Sequence, residues 1–397
     1  MTLTNAVSDA PVPIREGQTR LYPRVLGDLG SGDAGRTLLC VAALHGNEPA
    51  GAQALEKVFS KLAARPDQLT GRFVGLVGNR RALAAGQRFL VEDLNRAWFP
   101  ERLEKLEQQE QPGEAEAAEL LELSRAVHGV LSETLDLESI FCLDLHTTSG
   151  PGPTFSVLND TLPNRRFARA FPVPVVLGLE EELGGTLANY LADLGVRMLG
   201  FESGQHHDPT SVDRAEAAIW IALGLTGLLD RQQHPEVGAS WDRLSAESAG
   251  LPRAVEVRHR HAIDSGNGFR MRPGFESFQP IAKGAELGID HDGPVRARED
   301  GLILMPLYQK LGEDGFFIIR KVQPAWLQVS TAMRHLRLER VLHWLPGVRR
   351  HPDLPETFVV NRRIARWRAP ELFHLLGFRR LRTSKTHLTL ARRLHDT

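Results

Sequence analysis

His45 and Glu48 form a short pair of potential metal ligands, and His146 is a third candidate much farther along the chain. A catalytic zinc ion is commonly held by three imidazole or carboxylate ligands, with one position left open for water. Asp144 lies two residues before His146, on the same side of an extended segment, where its carboxylate could orient the imidazole. Each histidine alone is more simply a structural residue, but together these residues predict a hydrolytic zinc site.

The two histidines follow apolar runs that are typical of buried strands, Thr37 to Leu44 and Ile140 to Leu145. Because the carboxyl ends of parallel strands lie at one edge of a sheet, we expect the histidines to meet there. A zinc hydrolase also needs a group that moves a proton from water to the leaving amine. Glu202 follows a third such run and is the candidate. The alternative is an exposed loop glutamate.

Arg88, Asn95 and Arg96 suit the binding of an anionic substrate group. A guanidinium grips a carboxylate with two hydrogen bonds or polarises a carbonyl oxygen, and a neighbouring amide adds a donor. The segment therefore predicts a small-molecule substrate that carries a carboxylate. Without a metal site, a simple surface pair between Asp93 and Arg96 would be the better interpretation.

Further apolar runs occur at Arg72 to Val77 and at Val196 to Phe201, and residues 50–62 place apolar side chains at helical spacing. Such runs, alternating with helical periodicity, predict an α/β fold, with a mostly parallel or mixed sheet flanked by helices. We assign residues 1–245 to this hydrolase domain, with a polar linker over 232–252. Residues 246–330 are rich in glycine and short β-like runs, which indicates a small β-rich domain. Residues 331–397 form an arginine-rich C-terminal extension that we expect to dock within the chain, for example against the acidic stretch 101–138, with a nucleic-acid or lipid contact as the alternative. The Glu-rich stretch 101–138 is interpreted as a pair of solvated acidic helices.

The composition limits the partners and the location of the chain. Its 397 residues suggest two or three structural units, and a formal net charge of −1 gives the whole molecule no electrostatic reason to bind nucleic acid or a membrane. The only two cysteines, Cys40 and Cys142, lie in apolar runs, and the N-terminus has no apolar signal-peptide core. We therefore expect a cytoplasmic protein; a homo-oligomer is left open.

An ordered series of motifs resembles the succinylglutamate desuccinylase/aspartoacylase family, relatives of the zinc carboxypeptidases. The resemblance covers roughly residues 35 to 325. It rests on these segments: His45-Gly-Asn-Glu48, Gly78-Asn-Arg80, Arg88 with Glu92-Asp-Leu-Asn-Arg96, Asp144-Leu-His-Thr-Thr-Ser149, Gly185-Thr-Leu-Ala-Asn-Tyr190, Phe201-Glu-Ser-Gly204 and the β segment from Phe278 to Arg320.

The resemblance implies a zinc carboxypeptidase-like fold, a capping β domain and one zinc ion per chain, bound by His45, Glu48 and His146. It implies that Glu202 is the general acid and base and that Arg88 polarises the scissile carbonyl. By the same resemblance, Asn95 and Arg96 bind the carboxylate of an N-acyl amino acid.

Two departures from the family pattern concern the substrate. Aspartoacylases carry a further arginine before the catalytic glutamate, whereas the region from Thr186 to Asp193 has none. They also place a substrate-binding tyrosine in the β domain, where this chain has Phe316 or Phe317. Tyr308 and His206 are candidates for replacement contacts, with a loop hydrogen-bond anchor as the alternative for His206.

The sequence thus predicts a zinc-dependent amidohydrolase that cleaves linear amides, of the deacylase or desuccinylase type, through attack of water on a polarised carbonyl. A metallocarboxypeptidase for short peptides would use the same ligands and the same Asn-Arg pair. A non-catalytic binding protein is the third interpretation, and the complete set of catalytic residue types argues against it.

Overall fold

The computed structural model describes residues 21–31, 35–65, 68–109, 112–134, 136–263, 268–365, 369–384 and 386–396. Their contacts divide the chain into two compact units, one made of residues up to 147 together with 206–240, the other of 148–205 together with 241–397. The N-terminal segment in which no signal peptide is predicted lies outside the described residues, as does Trp367 of the basic extension.

The first unit is a four-stranded sheet covered by helices, with strand order β1-β3-β2-β4. Its elements are β1 (Val25–Gly30), β2 (Thr37–Ala42), α1 (Ala50–Ala63), β3 (Arg72–Val77), α2 (Arg80–Ala85), a 3₁₀ turn (Leu94–Arg96), α3 (Pro100–Glu107), α4 (Ala115–Ser132), a second 3₁₀ turn (Leu137–Ser139), β4 (Ile140–Thr148) and α8 (Thr210–Leu225). The helix α9 (Pro235–Glu247) begins in this unit.

Strands β2, β3 and β4 run parallel, and β1 pairs antiparallel with β3. All six residues of β2 are buried, as expected for a central strand covered on both faces. In register, Ala42 pairs with Leu145, so the residues that follow β2 and those near the end of β4 share one edge. The predicted strand over 140–145 continues to Thr148, which places His146 inside β4 rather than after it.

Helix α1 packs its apolar stripe against the sheet and against α8. Leu55, Val58 and Leu62 are buried at the spacing that the sequence predicts. Full burial of one such side chain contributes about 1.5–3 kcal/mol, so the stripe fixes α1 and the loop that leads into it. The linker predicted over 232–252 is wrong, because α9 occupies most of it and buries Val237 and Leu244.

The second unit contains a larger mixed sheet and two small antiparallel sheets. The mixed sheet has the order β7-β5-β6-β8-β14-β13-β10, and the small sheets have the orders β12-β11-β9 and β15-β16-β18-β17. Its strands and helices are β5 (Phe155–Val157), α5 (Leu162–Arg169), β6 (Val175–Leu177), α6 (Leu179–Glu182), α7 (Leu187–Asp193), β7 (Arg197–Gln205), β8 (Ala254–Ala262), β9 (Arg270–Met271), β10 (Pro280–Ile281), β11 (Glu286–Asp290), β12 (Gly293–Arg296), β13 (Gly301–Leu304), β14 (Asp314–Lys321), α10 (Pro324–His335), β15 (Val348–Arg350), β16 (Thr357–Asn361), α11 (Ala369–Leu375), β17 (Phe378–Thr383) and β18 (His387–Arg392).

The basic C-terminal extension is folded. Phe358, Phe373 and Phe378 lie in a core between α11 and the four-stranded sheet, where their rings meet edge to face. The extension is also tied by ion pairs to acidic residues of the second unit. Arg393 lies 2.9 Å from the Glu180 carboxylate, and other pairs join Arg334 to Asp160, Arg379 to Asp193 and Arg393 to Glu181.

The predicted α/β fold, with a mixed sheet flanked by helices, further small β-sheets and a C-terminal extension, is confirmed. Within the described part of the chain, every helix is too short or too polar to cross a membrane.

Candidate metal centre

The loop after β2 brings His45 and Glu48 onto one side of the first unit. Its backbone turns at Ala43, which has a positive φ of 57°. Gly46 packs directly on α2, since a Cβ atom there would lie 2.1 Å from the backbone carbon of Ala82. The Gly46 amide donates to the carbonyl of Arg88 at 3.0 Å. The glycine is therefore required by close backbone approach, and it links the ligand loop to the arginine segment.

His45, Glu48 and His146 converge. Their potential ligand atoms all lie within 4.8 Å of one another, and the group is the one His/Cys/Asp/Glu cluster of that kind among the described residues. Nδ1 of His45 lies 2.8 Å from Oε1 of Glu48, and Nδ1 of His146 lies 3.1 Å from Oε2. Two imidazole nitrogens thus face the two oxygens of one carboxylate, a donor set that fits a metal ion.

The outer nitrogen of each imidazole faces another carboxylate. Nε2 of His146 lies 2.9 Å from Asp144, and Nε2 of His45 lies 3.1 Å from Asp93. A carboxylate in this position fixes the tautomer and the ring orientation and so directs Nδ1 toward a metal. Asp144 therefore lies beside His146, and its role in orienting that imidazole stays a prediction. The role of Asp93 was missed, because the sequence suggested only a surface pair with Arg96.

Electrostatics in the cluster favour a charged carboxylate. Burial opposes ionisation of Glu48, but the neighbouring His45 and His146 hold its pKa well below the usual range. For His146, burial opposes protonation, but Asp144 and Glu48 raise its pKa well above the usual value. Glu48 is therefore in the form that binds a cation, while binding through His146 requires the release of a proton.

Arg88 lies at the edge of the cluster. Its Nη2 atom is 2.9 Å from Nε2 of His45 and 2.8 Å from the Asp93 carboxylate, and its Nη1 atom is 3.7 Å from Glu48. Burial opposes ionisation of Asp93, yet His45 and Arg88 hold its pKa well below the usual range. The structure therefore places a cationic guanidinium beside the candidate ligands, where a carbonyl oxygen could meet it.

Asn95 and Arg96 form a 3₁₀ turn that begins after Asp93. The Asp93 side chain accepts a hydrogen bond from the Asn95 amide at 2.9 Å, and Nη1 of Arg96 donates to the Asn95 carbonyl at 2.9 Å. A capping Asp two residues before Asn is a recognisable turn pattern, and this signal could have assigned Asp93 a structural role from the sequence. The substrate contacts of Asn95 and Arg96 stay predictions.

A buried glutamate binds the backbone of residues 90 and 91, in the stretch between Arg88 and Asn95. Glu116 of α4 has no exposed surface and accepts hydrogen bonds from the amides of Leu90 and Val91 and from the side chain of Asn79. Glu119, also buried, lies 2.5 Å from Nη2 of Arg24. The interpretation of this stretch as solvated acidic helices is therefore wrong for these two residues, which hold loops and charges in place.

Thr147 joins the ligand cluster to His206. Its amide donates to Oε2 of Glu48 at 3.0 Å, and its hydroxyl lies 2.7 Å from Nδ1 of His206. Sequence reasoning did not identify Thr147, because a hydroxyl next to a candidate ligand has no distinguishing pattern. Thr147 therefore contacts both Glu48 and His206. The substrate role of His206 stays a prediction.

Glu202 and Tyr308 belong to the second unit. Glu202 lies inside β7, opposite Phe155 of β5, and is 8% exposed, so it is not an exposed loop glutamate. The predicted end of this strand at Phe201 is wrong, since β7 continues to Gln205.

The Tyr308 hydroxyl is engaged with backbone groups. It accepts from the Phe275 amide at 2.9 Å and donates to the Arg272 carbonyl at 2.8 Å. Phe316 and Phe317 are each 1% exposed and lie in apolar cores on β14. A substrate contact by the Tyr308 hydroxyl would compete with the hydrogen bonds that hold the backbone of residues 272–275. That contact stays a prediction.

Comparisons with a family model, with related sequences and with solved structures all find succinylglutamate desuccinylases or aspartoacylases. Residues 34–222 match the model of the succinylglutamate desuccinylase/aspartoacylase catalytic domain. A succinylglutamate desuccinylase of Pseudomonas paraeruginosa is 34% identical over 101 residues, which are 24% of this chain. The matched stretch spans only 30% of the length of that relative.

Solved structures show the same fold at low sequence identity. A succinylglutamate desuccinylase/aspartoacylase from Rhodobacter sphaeroides has a TM-score of 0.52 and 20% identity, covering 74% of this chain and 88% of that one. A succinylglutamate desuccinylase from Vibrio parahaemolyticus has a TM-score of 0.51 and 18% identity, covering 73% and 83%.

Proposed function

The chain belongs, through residues 34–222, to the succinylglutamate desuccinylase/aspartoacylase family, and we propose on this premise that it is a zinc-dependent amidohydrolase. Its substrate is a small N-acyl amino acid, or a related linear amide with a carboxylate. The observation that carries the proposal is the convergence of His45, Glu48 and His146, whose ligand atoms lie within 4.8 Å of one another.

One zinc ion per chain suits this donor set. Two imidazoles and one carboxylate are a known ligand combination of catalytic zinc, and the carboxylates behind both imidazoles orient them for it. A zinc ion held there supplies Lewis acidity for the attack of water on a carbonyl. Ca²⁺ and Mg²⁺ prefer all-oxygen surroundings, which two imidazole nitrogens do not offer.

The protein's own groups supply the remaining chemistry. Arg88 would stabilise the negative charge that develops on the carbonyl oxygen, since its guanidinium is already held by Asp93 at 2.8 Å. Asn95 and Arg96 would bind the substrate carboxylate. Glu202, which is 8% exposed, would take a proton from water and deliver it to the leaving amine.

His206 and Tyr308 are proposed as further substrate contacts. His206 is the stronger of the two, since its Nδ1 atom reaches the Thr147 hydroxyl, whose residue also binds Glu48. The cytoplasmic location also stays a prediction. It agrees with the finding that both cysteines are free and buried.

The test is a screen of N-acetyl, N-succinyl and longer N-acyl amino acids, with short peptides included, read by release of free amine from zinc-loaded and chelated protein. Zinc-dependent release from acyl amino acids supports the proposal. Release from peptide C-termini alone would indicate a metallocarboxypeptidase instead. A protein that binds no stoichiometric zinc and cleaves none of these compounds would overturn the enzyme proposal.

Two variants separate proton transfer from metal binding. Glu202→Gln keeps the shape of the side chain, so we expect zinc to be retained while kcat falls by at least ~10²-fold. His146→Ala removes a ligand and should lose zinc, measured by metal analysis after gel filtration. Glu101→Gln and His128→Ala, both exposed, are the matched controls. Near-normal turnover in Glu202→Gln would refute its role, and tight zinc binding by His146→Ala would remove it from the ligands.

A further inference from the structure

The C-terminal extension carries an exposed segment, His335 to Trp344, whose inner side is firmly anchored. This segment covers the end of α10 and a 3₁₀ helix at Leu338–Trp344. Three of the side chains next to or within it are buried: Arg334, which lies 2.8 Å from Asp160; Glu339, which lies 3.2 Å from Arg392; and Leu342, which lies in the apolar core of the extension. These three buried side chains hold the backbone of the segment in place from its inner side.

The outer side of this segment exposes large apolar side chains. Leu336 is 71% exposed and Trp344 is 76% exposed, while Leu338 and Val341 are 37% and 41% exposed. A single exposed leucine is ordinary on a protein surface, but four large apolar residues within nine positions of anchored backbone form a concentrated apolar surface. Such a surface indicates a contact that removes these side chains from water.

The charge of the segment defines the kind of contact. The stretch from 335 to 350 contains His335, Arg337, Arg340 and His343, followed by two more arginines, and all six of these are exposed. Its single acid is Glu339, which is buried and paired. Within the part of the chain that the structure describes, neither Arg337 nor Arg340 forms an ion pair. The exposed side of the segment is therefore apolar and cationic at once.

We propose that the segment 335–344 binds peripherally to an anionic phospholipid surface. Tryptophan and aliphatic side chains enter the boundary between headgroups and acyl chains, while arginines at the same level bind the phosphates. The formal net charge of −1 argues against such binding for the whole molecule, but the attraction acts over a Debye length, about 10 Å at 0.1 M salt, so the local charge decides.

A lipid surface fits this segment better than nucleic acid does. Phosphates of a nucleic acid would pair with Arg337 and Arg340, and Trp344 could stack on a base. Leu336, Leu338 and Val341 would gain little from such a partner, because bases and phosphates offer no apolar interior. Only the lipid interface uses both the cationic and the aliphatic side chains.

The experiment uses the full chain and vesicles of phosphatidylcholine, with or without phosphatidylglycerol, and measures co-sedimentation and tryptophan fluorescence. We expect binding to the anionic vesicles only, weaker at higher salt, with a blue shift of the emission as Trp344 leaves water. Equal binding to both vesicle types, or none to either, would overturn the proposal.

Two double variants assign the binding to this segment. Arg337→Glu/Arg340→Glu should weaken it at least ~20-fold, because each basic residue near an anionic surface contributes a factor of about 5. Leu336→Ser/Trp344→Ser should weaken it at least ~10-fold through the loss of apolar burial. The controls are Lys105→Glu/Lys283→Glu, with the same change of net charge elsewhere, and Leu354→Ser, an exposed leucine outside the segment.

The same variants test whether a nucleic acid or a second copy of the chain binds the segment instead of a lipid surface. If single-stranded DNA binds and the arginine variant abolishes that binding while vesicles do not bind, the partner is a nucleic acid and the lipid proposal fails. If the chain self-associates in sedimentation analysis and Leu336→Ser/Trp344→Ser disperses it without any vesicle binding, the segment is an interface between copies. Variants that bind vesicles as well as the unmodified chain would also refute the assignment.

Discussion

Removal of the Asp144 charge provides a sensitive test of the metal centre. The Asp144 carboxylate is 2% exposed and lies 2.9 Å from Nε2 of His146. In Asp144→Asn the amide oxygen can still accept this hydrogen bond, so only the charge-assisted part is lost. Charge-assisted bonds contribute about 1.5–3 kcal/mol and neutral ones about 0.5–1.5, which leaves a difference of about 1–1.5 kcal/mol. We therefore expect zinc affinity to fall about 5- to 13-fold.

Protons compete with zinc for His146, and this competition affects the measurement. Asp144 raises the pKa of His146, although burial opposes this, so the substitution also makes the imidazole easier to deprotonate. Near neutral pH the easier deprotonation of His146 offsets part of the loss of zinc affinity. At alkaline pH, where His146 is neutral in both proteins, the full loss should be visible. The difference in zinc affinity should therefore grow as pH rises.

The assay is a competitive titration of zinc against a chromophoric chelator over a range of pH, with Asp144→Asn compared to the unmodified chain. Asp213→Asn, an exposed carboxylate on α8, is the matched control and should leave the affinity unchanged. Urea unfolding of the zinc-free proteins checks that the variant is folded. Equal zinc affinity of variant and unmodified chain at alkaline pH would refute the role of Asp144 in orienting His146.

Two further predictions concern the ion pairs that hold the C-terminal extension. Arg334→Met should lower the free energy of unfolding by about 3–5 kcal/mol, because it breaks two buried ion pairs, at 2.9 Å with Asp396 and at 2.8 Å with Asp160, although Asp160 keeps its second pair with Arg165. Urea unfolding measures this, with the exposed Arg258→Met as control, and a loss below about 1 kcal/mol would contradict it. The second prediction is acid sensitivity. Burial opposes ionisation of Asp160, but Arg165 and Arg334 hold its pKa well below the usual value of about 3.9. Asp160 therefore contributes stability above about pH 4 that is lost as pH falls toward its folded-state pKa, and Arg334→Met should show a shallower loss. Identical pH dependence of the two unfolding free energies would show that Asp160 does not act in this way.

The apolar runs of the chain were sufficient to locate the central strands. The run at 72–77 is β3 without change, and the runs at 37 and 140 begin where β2 and β4 begin. Strand ends were harder to predict. β4 and β7 continue through His146 and Glu202, since backbone pairing with neighbouring strands extends a strand past its apolar residues. The helix α9 was missed because its polar residues mask a narrow apolar stripe.

The sequence by itself determined the candidate ligand set. His45, Glu48 and His146 follow from residue type, spacing and position at the ends of apolar runs, and these are local properties of the chain. The sequence also predicted Asp144 as a support of His146, whereas only the tertiary structure revealed the other buried carboxylates, both near that set and under the C-terminal extension. Asp93 behind His45, Glu116 beneath Leu90 and Val91, and Asp160 opposite Arg334 are charged residues that a sequence pattern assigns to the surface. Their burial is tolerable only because partners distant in sequence neutralise the charge or hydrogen-bond to it, and such partners exist only after the chain has folded.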